Sequence, residues 1–402
     1  MELFKASQQW CTRPPDERFW NLKDALEATT KYAELARVAS VPFAGLRVEA
    51  SSGNELNLVG KQGVPARLTH FSFGQLADRA KFPAAPLRTL PATLAGQVLN
   101  HRLKERGVED SESRVQLLFH RNNGSDIKPD LVLRAASSEG YERIWNNEVF
   151  TNLVALQKEE GWRPPPARPA FDDPRSRPAT KEDLLRTKDM GWSLKEGDLI
   201  SPAGIYASDR DMFVFLVNED RLIDDGKGNH LARGFVLWNA EVPGISFGMM
   251  RFLYMGVCGN HIVWGAQGVQ EVRLRHSKSN REKAFDTLKV ELKEYEDASA
   301  SEDEALIKKA RAFEIKPSEG KKGKEGVIDS LLSFVRTKKL PITEKNLNAA
   351  YEIAERKEDT YGAPNTPWAI VQGLTEHSQE LPYASDRTRL DRAAGKVLEI
   401  AF

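Results

Sequence analysis

Tyr206-Ala-Ser-Asp-Arg-Asp-Met212 places two carboxylates, Asp209 and Asp211, one residue apart at the mouth of an apolar run. Acids paired in this way can hold magnesium or manganese for phosphodiester chemistry, and Glu219, Asp220 and Glu241 follow close behind in the sequence. The catalytic set this defines is Asp209, Asp211 and Glu241. Two features weigh against it. Arg210 stands between the acids and can neutralise them directly, and the same pattern fits an ordinary turn between two strands with an Asp capping it.

A second constellation is basic. Val272 and Leu274 alternate with Glu271, Arg273 and Arg275, so this strand buries one face and turns arginines to water. His276, Lys278, Arg281 and Lys283 continue the cluster into the start of a helix. Arginines on an exposed sheet face, with an aromatic such as Trp264 nearby, suit phosphate tracking and base stacking on single-stranded nucleic acid. The alternative is a solvated face whose charges pair with the acids of the following helix.

The third constellation is polar and internal. Asn239, Glu241, Arg251 and Asn260 interrupt the most apolar stretch of the chain, Ala203 to His276. Polar groups in such a setting need partners, so they form either a satisfied network that holds the sheet's geometry or a site. Cys258 and His261 lie close together, but a cysteine flanked by Val257 and Gly259 reads as a buried thiol. The chain has no phosphate-binding glycine loop of the P-loop or dinucleotide type, no Gly-x-Ser-x-Gly elbow and no His-Glu-x-x-His pair. No cofactor and no metal are expected.

The elements that must position these residues imply an α+β fold. Short β-branched and aromatic runs across 203–276, joined by turns such as Asp224-Asp-Gly-Lys-Gly-Asn229, predict a central antiparallel sheet flanked by helices. Residues 1–161 form a mixed α/β part: a helix capped by Asn21, further helical turns near Tyr32–Val38, a hairpin around Ser51-Ser-Gly-Asn54, and paired strands around Asn122-Asn-Gly124. Between them, Phe73, Leu76, Ala77 and Ala80 precede a second helical run. This would be a helix-turn-helix only if Lys81 were the expected glycine. Residues 162–178 hold six prolines with interspersed arginines and predict a semi-rigid linker. Residues 179–314 are the core sheet and its helix, 315–326 a Lys/Gly-rich linker, and 327–402 a helical C-terminal part.

Fifty-eight basic residues balance 58 acidic ones, so any nucleic-acid surface must be a local patch. Two cysteines exclude a disulfide framework and fit a reducing compartment. Met1-Glu-Leu-Phe-Lys5 lacks the apolar run of a signal peptide, and no stretch reaches about 18 apolar residues. The expectation is a cytoplasmic protein of a bacterial host cell with no membrane partner; a homo-oligomer is compatible with the sequence.

Several stretches together resemble a known family. They are Phe4-Lys-Ala-Ser-Gln-Gln-Trp10 with Arg13-Pro-Pro-Asp-Glu-Arg-Phe-Trp20, Phe73-Gly-Gln-Leu-Ala77 with Leu87-Arg-Thr-Leu-Pro91, and Tyr206 to Leu216. Ala232 to Val242, Cys258 to Ala266 and Glu271 to His276 complete the set. The chain is similar to the phage/plasmid-like family called domain-of-unknown-function 932, departing mildly at Ala240, His261 and Ser277. The resemblance implies a phage, prophage or plasmid origin and a cytoplasmic setting, without a reaction. The expected function is therefore non-catalytic nucleic-acid binding, for example of single-stranded DNA in recombination. The alternatives are a metal-dependent phosphodiesterase and a structural or anti-defence interaction protein.

Overall fold

Asn21 starts the first helix, its side chain accepting the Asp24 N–H at 2.8 Å. The computed structural model describes residues 13–60, 64–122, 130–169, 174–189, 194–255, 260–262, 271–381 and 384–402. Helix α1 (Leu22–Leu35) runs on without a break through the first of the turns expected near Tyr32–Val38, but from Ala36 the chain is strand β1 (Ala36–Pro42). Seven residues of register against a later strand supply the ladder that overrides local helical spacing. Strands β2 (Arg47–Ala50), β3 (Leu56–Val59) and β4 (Pro65–Leu68) follow, then helices α2 (His70–Arg79), α3 (Ala84–Arg88) and α4 (Ala92–Glu109), and strands β5 (Arg114–Asn122) and β6 (Asp130–Ser137). They form one six-stranded sheet in the order β1-β5-β6-β4-β3-β2, with β4 and β6 parallel and the other pairs antiparallel. The turn at Asn122-Asn-Gly124 extends outside the described residues.

β1 and β2 occupy opposite edges of this sheet, yet only the 3-10 turn Phe43–Gly45 and its flanks join them. Five chain steps from Pro42 to Arg47 span at most ~18 Å, whereas the edges of a flat six-stranded sheet lie ~24 Å apart. The sheet must curl into an open barrel. Phe73, Leu76, Leu99 and Leu103 from α2 and α4 pack into its concave face against Leu56, Leu68 and Leu133. The helix-turn-helix reading fails here. α2 turns its apolar face into the sheet and α3 is only five residues long, although Lys81 does adopt the left-handed conformation (φ 56°) that a glycine would take.

After α5 (Asn146–Glu160) comes the stretch expected as a linker. Its described residues are folded onto the body. Trp162 is fully buried, its ring edge-on to Phe235 at 5.0 Å, and Arg163 exchanges both backbone hydrogen bonds with Val217 at 3.0 and 2.8 Å. Prolines forbid a long ladder but allow two-residue pieces: β7 (Arg168–Pro169) and β8 (Arg177–Pro178) flank β9 (Leu199–Ser201), with α6 (Lys181–Asp189) between β8 and β9 in sequence.

The central sheet comprises β10 (Ile205–Ala207), β11 (Asp211–Asp224), β12 (His230–Ala240), β13 (Phe247–Met255), β14 (Asn260–Ile262) and β15 (Glu271–Leu274). The order is β10-β11-β12-β13, with β14 and β15 pairing successive parts of β13, and every pair is antiparallel. β12 and β13 are buried at both parities because each face carries a core. On one face Val214, Leu216, Phe235 and Met249 meet α1, α5 and α7 (Lys278–Glu296); on the other Phe213, Trp238, Met250 and Phe252 form a second cluster.

The remaining helices are α8 (Ala300–Ala312), α9 (Gly323–Thr337), α10 (Glu344–Arg356), α11 (Glu358–Tyr361), α12 (Pro367–Ser378) and α13 (Ala384–Val397). Thr343 caps α10, accepting the Asn346 N–H at 3.2 Å, and Thr366 caps α12. The helical part shares its core with the far end of the sheet: Leu231, Leu253 and Met255 pack with Leu331, Trp368 and Leu374. Residues 315–326 separate nothing. Ile315 is buried in that core and its N–H donates to the Asn365 carbonyl at 2.8 Å.

Candidate nucleic-acid interface

The carboxylates proposed as a metal set are distributed between two guanidiniums. Arg134 on β6 is 1% exposed, with Nε 3.1 Å from Asp209 and one terminal nitrogen 3.1 Å from Glu241. Arg13 donates to Asp211 at 2.6 Å and to Glu17 at 3.2 Å. Among the described residues no group of three or more His, Cys, Asp or Glu is placed to hold a metal ion. Burial works to raise the Asp211 carboxyl, but Arg13 and Arg210 outweigh it and hold the group below its ordinary range. At Glu241 burial prevails over Arg134 and pushes the carboxyl up.

Glu241 also accepts the backbone N–H of Asn146 at 2.9 Å, at the start of α5. Asn239 donates to the Ile144 carbonyl and to the Asn146 side chain, both at 2.8 Å. Gln75 on α2 spans the same seam, donating to the Pro243 carbonyl at 2.6 Å and accepting from the Ala136 N–H at 2.9 Å. Glu241 thus ties the central sheet to the curled one through Arg134, and Asn239 ties it to the start of α5. Arg251 belongs elsewhere: it donates to Glu291 at 2.6 Å and stands over Tyr295 at 5.2 Å, with Arg233 at 5.6 Å from the same ring and bonded to Asp303 at 2.8 Å. The side chain of Asn260, and all of Cys258 and Trp264, lie outside the described residues, as does the His261 side chain. Sequence reading missed Arg134, although a lone arginine in Leu131-Val-Leu-Arg-Ala-Ala136 is the same signal that singled out Glu241.

The basic cluster is partly neutralised. His276 is no cation: it is buried and stacked on Tyr141 at 4.8 Å, and burial pushes its imidazole down to about 4. Arg281 pairs with Glu142 at 2.9 Å and Glu148 at 2.7 Å. Arg273 pairs with Glu271. Arg275, Lys278 and Lys283 are exposed, and none forms an ion pair among the described residues.

What the sequence did not show is where Arg273 stands. Tyr206, Phe213, Trp238, Gly248 and Arg273 are successive cross-strand neighbours, one row running over five strands. Trp238 lies across Gly248, where an added Cβ would come within 2.5 Å of the indole. The Arg273 guanidinium is 5.8 Å from that ring. α13 brings Arg389 and Arg392 over the same place, and between helix and sheet runs a groove of about 390 Å³ lined by Phe213, Trp238, Ile245 and these three arginines. Two carboxylates oppose the arginines, Glu271 pairing with Arg273 and with Arg392 at 2.7 Å, and Asp386 pairing with Arg389 at 2.9 Å.

The fold and this groove define an α+β protein in which a curled N-terminal sheet and a central antiparallel sheet share an ion-paired seam, and a helical C-terminal part supplies one wall of a cationic, aromatic cleft. No family model, no curated protein and no solved structure matches the chain. Among the described residues no helix is long and apolar enough to cross a membrane.

Proposed function

We propose that the protein binds nucleic acid without catalysis, taking a single strand into the groove between β15 and α13. The observation that carries this is the row from Phe213 through Trp238 to Arg273, roofed by Arg389 and Arg392. Guanidiniums that accept phosphate border the groove, and the rings of Phe213 and Trp238, each 6% exposed, floor it with the apolar edge that an unpaired base would meet. Arg275, Lys278 and Lys283 extend positive charge beyond the groove. Glu271 and Asp386 hold the arginines until a phosphate replaces them, so the interaction is strongly salt-dependent. The expected resemblance to proteins of mobile elements points the same way. Nothing in the arrangement of Asp209, Asp211 and Glu241 favours the phosphodiesterase alternative, because each of the three is engaged by an arginine.

Fluorescence anisotropy with labelled single-stranded DNA, single-stranded RNA and duplex DNA, titrated at low and physiological salt, tests the reading. Single strands bind more tightly than duplex, and Arg389→Ala/Arg392→Ala weakens them at least tenfold (about 1.4 kcal/mol). Arg356→Ala on α10 leaves binding unchanged. Absence of binding at low salt, or equal binding by the double variant, overturns it.

A further inference from the structure

The curled N-terminal sheet holds a second feature, independent of the nucleic-acid groove. Helices α2 and α4 fill part of its concave face, and beyond them the barrel opens on a cavity of about 480 Å³. Ala39 and Val41 of β1, Leu58 of β3, Leu117 and Phe119 of β5 and Leu131 of β6 line it. The space exists because small residues stand where the curl would otherwise be filled. Ala39 lies opposite Leu117 in the ladder, and a Cβ added at Gly60 on the rim meets nothing within 4 Å.

Among the described residues, none that lines the cavity carries a charged side chain. An ionised carboxylate or phosphate placed here would lose its water without gaining a partner. Apolar walls, a barrel mouth and a volume inside the range of about 300–1,000 Å³ are the attributes of small-molecule sites. We propose that this cavity binds a neutral, apolar small molecule, held by burial against Leu58, Leu117 and Phe119. The uncharged, apolar lining formed by the described residues favours that occupant over an anionic one.

The test is a fluorescence titration of the full chain with N-phenyl-1-naphthylamine, an uncharged apolar probe, against the anionic 1-anilinonaphthalene-8-sulfonate. The neutral probe binds saturably at one site, and the sulfonate binds at least tenfold more weakly. Ala39→Phe and Gly60→Leu, which fill the cavity from two sides, each weaken the neutral probe by about tenfold or more. Val38→Phe, whose side chain leaves the opposite face of β1 and is 46% exposed in the native chain, does not. Circular dichroism confirms that the variants are folded, and two cavity-filling variants guard against failure of one. The proposal is overturned by non-saturable binding, by preference for the sulfonate, or by folded filled variants that bind like wild type. Self-association of the wild type that Ala39→Phe abolishes would also overturn it, because the occupant would then be a second copy.

Discussion

Arg134 on β6 and Glu241 just past β12 meet at 3.1 Å with side chains each 1% exposed, a buried ion pair that joins the two sheets beside the Gln75–Pro243 and Arg134–Asp209 contacts. Removing one partner leaves a buried charge uncompensated. Arg134→Ala is therefore expected to cost about 3–5 kcal/mol in urea unfolding. Glu241→Gln, which keeps an acceptor for the Asn146 N–H, costs less than Arg134→Ala. An Arg134→Ala protein as stable as wild type would show that this ion pair does not hold the seam.

Trp238 and Gly248 predict a steric effect. A methyl group at position 248 would lie 2.5 Å from the indole and 2.8 Å from the Val272 carbonyl. Gly248→Ala is expected to destabilise by about 1–3 kcal/mol and to displace the indole. It should weaken strand binding as well, with chemical denaturation and oligonucleotide anisotropy as the two readouts. Unchanged stability would mean that the ring does not rest on that glycine.

Asp391 on α13 predicts a pH dependence. Burial pushes its carboxyl up to about 7, against the opposing pull of Arg387, and it accepts a hydrogen bond from Ser378. The unfolded group titrates near about 3.9, so between pH ~4 and ~7 the folded chain holds the extra proton. Its contribution is present below the lower value and is lost as pH rises through the upper one, with a slope of about 1.4 kcal/mol per pH unit. Asp391→Asn should remove that slope. Denaturation midpoints measured from pH 4 to 8 that fall equally in both proteins would assign the effect to another group.

His276 behaves in the opposite sense. Its imidazole is depressed to about 4, below the unfolded value of about 6.5, so its contribution is present above pH ~6.5 and is lost as pH falls towards 4. His276→Phe keeps the stack on Tyr141 and should flatten this acid limb of the stability curve. Acidification to pH 5.5 should not recruit His276 as a phosphate contact, so strand affinity there should be equal in both proteins.

The exposed cations give a salt prediction. Each phosphate neutralised on a single strand contributes about 0.7 to the slope of log affinity against log salt. Replacing Arg275, Lys278 and Lys283 together by Ala should shallow that slope by about 2. An unchanged slope would place the strand wholly within the groove.

Much of the fold was legible because it depends on local patterns. The hairpin at Ser51–Asn54, the helix capped by Thr343 and the antiparallel runs from 205 to 274 all carry their signals within a few residues. The misreadings have a shared origin. Residues 162–178 look like a spacer because prolines hide their partners, and Trp162 finds Phe235 only in three dimensions. Arg273, His276 and Arg281 look alike in sequence, yet a carboxylate on the same strand, a tyrosine ring and two glutamates from 142 and 148 give them different charges and exposures. Alternation tells which face a residue takes, not what waits there. Arg389 and Arg392 were invisible as site residues because a helix more than a hundred positions away in sequence brings them over β15.

Arg13 is bonded to Asp211, and the Phe19 N–H donates to the Ile205 carbonyl at 3.0 Å. The beginning of the described chain therefore completes its contacts only with strands made 198 residues later. At about 5–20 residues per second, translation leaves that first segment waiting for roughly 10–40 s after it leaves the ribosome. During this interval Phe19 and Leu22, both buried in the finished protein, have no central sheet to cover them. The nascent chain thus carries uncovered apolar surface at a stage when the curled N-terminal sheet can already have closed, and slow translation of residues 162–211 would lengthen that exposure.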